Sequence, residues 1–416
     1  MKILLVNPNS QFLISEKVFP SLGLLYLSSY LKEHGYKDVR LLDMNDELPL
    51  PGNIEADIVG IYSNTPQYPT AVSLLHKIRE INVIRDAVYA MGGPHVSGKP
   101  EDAAGEADVV VIGEGERALL DIVRRRESGL PHEKIVRCEY MHDLDAIPYP
   151  DRDIIDIKSY KYYLDGRLTT TLITSRGCPF GCNFCANNAW GKSLRLASAE
   201  KVYGEVKLLR DKYGYKAFMF FDDTMTVNRR RMLDICGLLK KLDIIYRCFI
   251  RSDTVDMEVL KAMRGSGCVE VGIGLESGSP RILKIVNKGE TVEKNLQAVK
   301  MCHSVGIRVK GFLIVGLPGE NKESVAETMA FLDKAQLDDM DISIYTPYPG
   351  SYIYRHREDF DIKFNDDYEH AWYKGKPGEY RSLVSTSSLS SADILAIRNR
   401  IEAEYKNKDL LDVPAS

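Results

Sequence analysis

The chain lacks what would direct it to a membrane or to nucleic acid. No apolar run in its 416 residues approaches the ~20 needed to span a bilayer. The longest, at 311–317, is strand-length. The opening MKILLVNPNS reads as a strand; a signal peptide would need a longer apolar stretch and a small-residue cleavage site. The formal net charge is −4, which gives no basic excess for a phosphate backbone. There is no internal repeat and no low-complexity segment. No G-x-G-x-x-G follows the first strand, and there is no G-x4-G-K-S/T. The stretch GIGLES (272–277) has two glycines but neither the third nor a phosphate-binding helix start. Neither a dinucleotide fold nor a P-loop NTPase is favoured, and a soluble cytoplasmic protein is expected, with no nucleic acid partner and no membrane span.

What is present is an α/β pattern given twice. Hydrophobic residues make up 44% and charged residues 27%, an ordinary globular balance, and the length exceeds what one core usually reaches. Short apolar runs at 2–7, 39–43, 57–63, 87–93 and 108–115 read as buried strands, with helical spacing at 22–34, 69–80 and 116–125. This predicts a Rossmann-like, doubly wound parallel sheet over 1–130, with ligands at the strand C-termini. Residues 131–165, charged and holding Pro131, Pro148 and Pro150, read as a linker. A second alternation follows over 166–358. Strands are expected at 169–176, 217–223, 246–252, 269–277, 309–316 and 340–348, with helices at 198–213, 228–241, 257–265, 292–306 and 322–335. Six βα units in a row predict a partial (β/α)6 barrel. Residues 359–416 form an extension ending in a helix at 392–406.

Eight cysteines are present, and three fall within eight residues, in Arg176-Gly-Cys178-Pro-Phe-Gly-Cys182-Asn-Phe-Cys185. In a reducing compartment, close spacing points to metal or catalysis rather than disulfides. Three thiolates on a turn eased by glycine and proline can reach three irons of one cubane and leave the fourth open. A structural zinc completed by a distant histidine such as His142 or His303, or a chance group of buried thiols, are the other readings. The remaining Cys138, Cys236, Cys248, Cys268 and Cys302 read as small buried hydrophobes.

The C-x3-C-x2-C loop, with Phe184 before its last cysteine and a βα run after it, resembles the radical S-adenosylmethionine (SAM) superfamily. The resemblance implies a 4Fe–4S cluster on Cys178, Cys182 and Cys185. Its open iron would chelate SAM and cleave it reductively to a 5′-deoxyadenosyl radical. Later strand ends match too. FFDDTMT (220–226) brings Asp222 and Asp223 to the place that holds the SAM amino group, against a plain role as a helix N-cap before Asn228. Arg251 would face the SAM carboxylate, or form a surface salt bridge. Glu276, followed by Ser277, would meet the ribose, because a buried glutamate is costly unless paired. Gly316 in GFLIVGLPGE would let backbone approach the adenine, and Phe184 completes the SAM-binding set.

The first domain, through PSLGLLYLSSYLKEHGY (20–36), NTPQYP (64–69), GGPHVSGKPEDA (92–103) and VVIGEGE (110–116), resembles the cobalamin-binding domain of one radical SAM class. That class includes anaerobic Mg-protoporphyrin monomethyl ester cyclase-like enzymes and cobalamin-dependent methylases. Where many such domains carry D-x-H-x-x-G, this chain reads Asp43-Met-Asn45-Asp-Glu-Leu48. Cobalamin without a histidine ligand to cobalt is therefore implied. Thr65, Gln67, Gly92, Gly93, His95 and Glu114 are its candidate contacts. For the glycines the competing reading is a strand-to-helix turn, for His95 a polar surface residue, and for Glu114 and Glu116 a helix cap. The expected activity is C-methylation or a related radical modification of a small molecule, with a flavodoxin- or ferredoxin-type reductant. A cobalamin-free dehydratase, isomerase or dehydrogenase with a vestigial first domain is the alternative, and a non-catalytic zinc or electron-transfer protein a more distant one. No general base stands out. Tyr368, Trp372, Tyr373 and Tyr380 in the tail would close the barrel mouth or pack as core.

Overall fold

The computed structural model describes every residue except 11–14, 16, 47–48, 188–189, 369, 371–377 and 407–416. Six strands, β1 (Ile3–Asn7), β2 (Val39–Asp43), β3 (Ile58–Tyr62), β4 (Val88–Gly92), β5 (Val109–Ile112) and β6 (Ile135–Arg137), form a wholly parallel sheet. Its order is β2-β1-β3-β4-β5-β6. Helices α1 (Leu22–Glu33), α2 (Tyr68–Ile81), α3 (Pro94–Gly98), α4 (Pro100–Ala104) and α5 (Glu116–Glu127) cover both faces. The strands divide their side chains by the period of two. Ile3 and Leu5 enter a core with α1 and α5, while Leu4 and Val6 enter a second core with α2 and Ala103 of α4. That two-sided burial explains why the strands read as unbroken apolar runs. Strand β6 lies inside the stretch expected to be a linker. Its side chains are exposed or half-buried, so it carries no apolar signature.

The second half continues with β7 (Tyr163–Leu164), β8 (Arg167–Leu172), β9 (Ser175–Arg176), β10 (Arg195–Leu196), α6 (Ala199–Tyr213), β11 (Ala217–Phe220), α7 (Arg229–Leu239), β12 (Ile245–Ile250), α8 (Met257–Gly265), β13 (Cys268–Glu276), α9 (Pro280–Ile285), α10 (Val292–Ser304), β14 (Arg308–Val315), α11 (Lys322–Ala335) and β15 (Asp339–Ile344). Strands β8, β11, β12, β13, β14 and β15 are parallel neighbours in that order, and β7 adds antiparallel to β8. Among the described residues the sheet stops at β15 without pairing back to β8, so the barrel is open along one side. Helix starts follow local chemistry. The Ser198 hydroxyl accepts from Lys201 N at 3.0 Å, and Asn228 caps α7 by accepting from Arg231 N at 3.0 Å. The chain ends in α12 (Tyr352–Arg355), a short β16 (Lys363–Phe364) and β17 (Val384–Ser385) pair, and α13 (Ser391–Tyr405), whose Ile394 and Ile401 pack into the barrel's core. Cys236, Cys248, Cys268 and Cys302 are buried there as well, and Cys138 is half-buried against it. Among the described residues, no helix is long and apolar enough to cross a membrane.

Candidate active site

The short ladder β9–β10 ties off the cysteine loop at its neck, with Arg176 paired to Arg195 and Ser175 to Leu196. Gly177 has a φ of 85°, and a Cβ there would stand 2.3 Å from the Ser193 carbonyl oxygen, so only glycine fits this turn. Cys178 N donates to Gly191 O at 3.4 Å and Cys185 N to Cys182 O at 3.2 Å. The C-terminal turn after α9 grips the loop from the barrel side. Asn183 N donates to Val286 O (2.9 Å), Asn183 Nδ2 to Ile285 O (3.2 Å), and Asn287 Nδ2 to Gly181 O (2.8 Å). Neither Asn183 nor Asn287 stood out in the sequence, because each acts on backbone groups distant along the chain.

The neck is fastened to the first sheet by buried ion pairs. Glu114 Oε1 accepts from Arg176 Nη1 at 3.0 Å and from Arg195 Nη1 at 2.7 Å, and its Oε2 accepts from Met141 N at 2.7 Å. Arg176 Nη2 donates to Glu116 Oε1 at 2.6 Å. All four side chains are at most 6% exposed. Burial by itself would lower the Arg176 pKa, but Glu116 and Glu114 reverse that and hold it above its ordinary range. Glu114 and Glu116 thus bond arginines of the cysteine-loop neck; neither bonds the backbone of α5.

The three thiols line one cavity of about 680 Å³ inside the open barrel. Cys185 is surrounded by protein yet presents its surface to that cavity; burial, then Asp223 and the other two thiols, push its pKa up to about 12. Burial raises Cys178 and Cys182 as well, with Lys288 and Arg251 opposing this at Cys182. Among the described residues, no three His, Cys, Asp or Glu gather round a point where one metal ion could sit. Three thiols lining one cavity suit a multi-iron cluster taking one iron per thiolate.

Phe184, Asp222, Asp223, Arg251 and Glu276 also line this cavity. The two aspartates differ. Asp222 is fully buried and accepts from Thr174 N and Oγ1, both at 2.5 Å, so its carboxylate holds the end of β8. Asp223 faces the cavity, accepts from Asn187 Nδ2 at 2.9 Å, and is raised to about 6 by burial and by Asp222. Neither caps α7, since Asn228 does. Arg251 is buried, not a surface residue. It bonds Asp253 at 3.0 Å and Lys288 O at 3.0 Å, lies 3.7 Å over the Phe180 ring, and puts Nη1 3.8 Å from Cys182 Sγ.

Glu276 ends β13 at a bulge with a φ of 59°, a strained conformation for a non-glycine residue. Its carboxylate takes Lys288 Nζ at 2.8 Å, and Lys288 also lies 3.4 Å from Glu290. The expectation that Glu276 needs a ligand to justify its burial is thereby corrected, because Lys288 supplies the partner. Lys288 and Glu290 went unnoticed in the sequence because nothing in their spacing links them to strand β13. Ser277 is buried off the cavity, 3.2 Å from Thr328 Oγ1. Gly316 does not line the cavity either. It turns with a φ of 89° beneath Ile394 and Val384, and its N–H donates to Glu320 at 2.6 Å.

A second cavity, of about 550 Å³, lies between the C-terminal edge of the first sheet and the barrel. Gly92, Gly93 and Glu114 line it, together with Leu22, Leu27, Tyr62, Met91 and Leu119. Gly93 has a φ of 110°, and a Cβ there would meet Ser63 O at 2.5 Å. Thr65, Gln67 and His95 are buried outside this cleft. Gln67 Nε2 ties down Pro8 O (2.7 Å) and Ser10 Oγ (2.8 Å). His95 stacks on Tyr68 at 4.2 Å and bonds Thr65 Oγ1 (3.3 Å) and Asp102 (3.2 Å), so it is a core residue rather than a surface one. Tyr368 meets the same cluster, 4.9 Å from His95, and not the barrel mouth; Tyr380 lies 3.6 Å beneath Arg398. Trp372 and Tyr373 lie outside the described residues. The two cavities share a wall of Phe19, Cys185, Phe221 and Asp223.

The family model described as the radical SAM superfamily matches residues 172–332, and the model described as B12 binding domain matches 15–123. An uncharacterized methyltransferase of Pyrococcus horikoshii is 35% identical over 386 residues, covering 86% of this chain and 83% of that protein. The anaerobic magnesium-protoporphyrin IX monomethyl ester cyclase of Cereibacter sphaeroides is 29% identical over 450 residues, covering 100% and 72%. The structure of the radical SAM methyltransferase TsrM from Kitasatospora setae, with cobalamin and a 4Fe–4S cluster bound, superposes with a TM-score of 0.74 at 16% identity, covering 100% of this chain and 93% of that one. At that identity the likeness is one of fold.

Proposed function

The chain belongs to the radical SAM superfamily and carries a B12 binding domain, and from that premise we propose that it methylates carbon, or modifies it by a related radical route, in a small-molecule substrate. The observation that carries this reading is the shared wall: a thiol-lined barrel cavity and a glycine-edged cleft meet at Phe19, Cys185, Phe221 and Asp223. Two sets of chemistry can thus act on one molecule lodged between them.

The residues present suit the groups the family uses. Cys178, Cys182 and Cys185 would hold the cluster, and Arg251 and Lys288 beside Cys182 offset its negative charge. Asp223, with its carboxylate turned to the cavity, suits an ammonium, and Glu276, oriented by Lys288, suits hydroxyls. The cleft's apolar floor and its glycines suit a broad macrocycle lying against backbone. When bound, the cluster with SAM supplies one-electron cleavage and cobalamin supplies a transferable methyl group. The protein holds and orients these groups, and Phe19, Phe221, Leu22 and Leu119 keep water from the space between them. Cobalamin is expected to sit without a histidine from this chain on cobalt, and His95 favours this by being engaged elsewhere.

An external reductant is required, and we take it to be a flavodoxin or ferredoxin in the cytoplasm. The division into a first domain over 1–130, a linker over 131–165, a barrel over 166–358 and an extension over 359–416 is part of the proposal, with β6 assigned to the first domain's sheet although it follows residue 130. Anaerobic purification after growth with hydroxocobalamin tests the whole. About four irons per chain and stoichiometric cobalt are expected. Iron without cobalt would transfer the assignment to a cobalamin-free radical reaction, and full iron content in the Cys178→Ala, Cys182→Ala, Cys185→Ala triple variant would overturn the cluster site.

A further inference from the structure

We infer that the barrel cavity is built for a substrate with a flat aromatic or conjugated ring, and that Phe249 and Phe312 set this specificity. The inference rests on the reading of the cavity as the site of the radical reaction. A row of rings lines the lumen. Phe19 and Phe221 are 5.0 Å apart edge to face, Phe221 and Phe249 are 5.9 Å apart, and Phe249 and Phe312 are 5.6 Å apart. All four phenylalanines are only half-buried and all face the cavity. On the other side of the same strands, Phe218, Phe220 and Tyr246 are fully buried against the helices. The strand alternation thus places one set of aromatics in the core and leaves the other facing open space. A contiguous ring surface left facing water is costly, and its usual meaning is a ligand.

Gly272 sharpens this. It lies on β13 beside both rings, and a Cβ there would come within 2.7 Å of Phe312 Cε2 and 2.8 Å of Phe249 Cδ1. The strand therefore carries no side chain here, so both rings can pack over its backbone and present a continuous ring surface to the lumen. Below the rings the lining is polar but balanced. Lys310 lies 2.7 Å from Asp339 and 3.4 Å from Asp341, and Arg247 lies 3.1 Å from Glu270. Each of these cations already faces a carboxylate. Such a floor suits a zwitterionic or neutral polar end, and it offers no surplus positive charge for a phosphate-rich one.

The test uses the cluster- and cobalamin-loaded protein with SAM. Two zwitterionic probes, naphthylalanine and its non-planar counterpart cyclohexylalanine, are compared by calorimetry and saturation-transfer NMR. Ring–ring contact predicts a preference of roughly tenfold for the flat probe. Phe249→Leu and Phe312→Leu should each remove most of that preference, and Gly272→Ala should weaken the flat probe selectively. SAM affinity, measured on the same samples, should not change in the leucine variants, which also reports that they are folded. Equal binding of the two probes, no binding of the flat one, or a preference that survives both leucine variants would overturn the inference while SAM still binds. A preparation without iron, or one that fails to bind SAM, would instead refute the functional reading beneath it.

Discussion

Glu114 should contribute strongly to the stability of this protein, because one carboxylate serves two buried arginines and a backbone N–H. Glu114→Ala would leave Arg195 without its 2.7 Å partner, deprive Arg176 of one of two, and orphan Met141 N. Breaking a buried pair by removing one partner costs about 3–5 kcal/mol, since the surviving charge stays desolvated. Glu116 remains to Arg176, which argues for the lower half of that range. At ~2 °C per kcal/mol for a large domain, the melting midpoint should fall by roughly 6–8 °C. The arginines also form the neck of the cysteine loop, so iron retention after reconstitution should fall with it. Glu205→Ala is the control. It breaks another buried pair, Arg152 to Glu205 at 3.3 Å, whose carboxylate on α6 bonds neither arginine of the neck. It should cost comparable stability and spare the cluster. Calorimetry and iron analysis on both variants decide the matter. A Glu114→Ala protein within about 1 kcal/mol of the parent, or equal iron loss in the two variants, would refute the latch.

The other predictions are more local. Gly177→Ala places a Cβ 2.3 Å from Ser193 O at a φ of 85°, so the loop must shift and iron retention should drop; unchanged iron and sulfide content would count against the loop geometry. Lys288→Met removes the ammonium 2.8 Å from Glu276, and SAM affinity should weaken by roughly tenfold (~1.4 kcal/mol) in an equilibrium titration; an unaltered affinity would separate Glu276 from SAM binding. Burial holds the His95 imidazole down at about 4, against an opposing pull from Asp102. The unfolded chain takes up that proton near 6.5, so the contribution is intact above ~6.5 and is lost as pH falls towards 4, on the order of 3 kcal/mol in all. His95→Gln should flatten that limb of a stability–pH profile, and an equally steep limb would show that other groups control it.

The cysteine loop was legible because it is a local object: three thiols and two permissive glycines within nine residues carry their own geometry. The strands were legible for a related reason. Burial on both faces writes a continuous apolar run, and the expected strands at 39–43, 57–63 and 87–93 match β2, β3 and β4 closely. β6, with its outward side chains, wrote no such run. The cavity-lining residues at the strand ends were half legible. Position at a strand end identified Asp222 and Asp223 alike, and both line the cavity, but only the fold separates them: Asp222 is buried and held by Thr174, while Asp223 is exposed to the open space. Gly316 and Ser277, at the ends of their strands, lie off the cavity.

By itself, then, the sequence determined the two α/β halves, the thiol loop and the family they belong to, since each depends on neighbours within a turn or on a short period. Only the tertiary structure decided which side chains share a wall. Phe19 and Phe221, or Glu114 and Arg195, lie far apart along the chain, and their meeting follows from how the open barrel docks on the edge of the first sheet. Pairings of that kind are set by long-range packing, which no local pattern records.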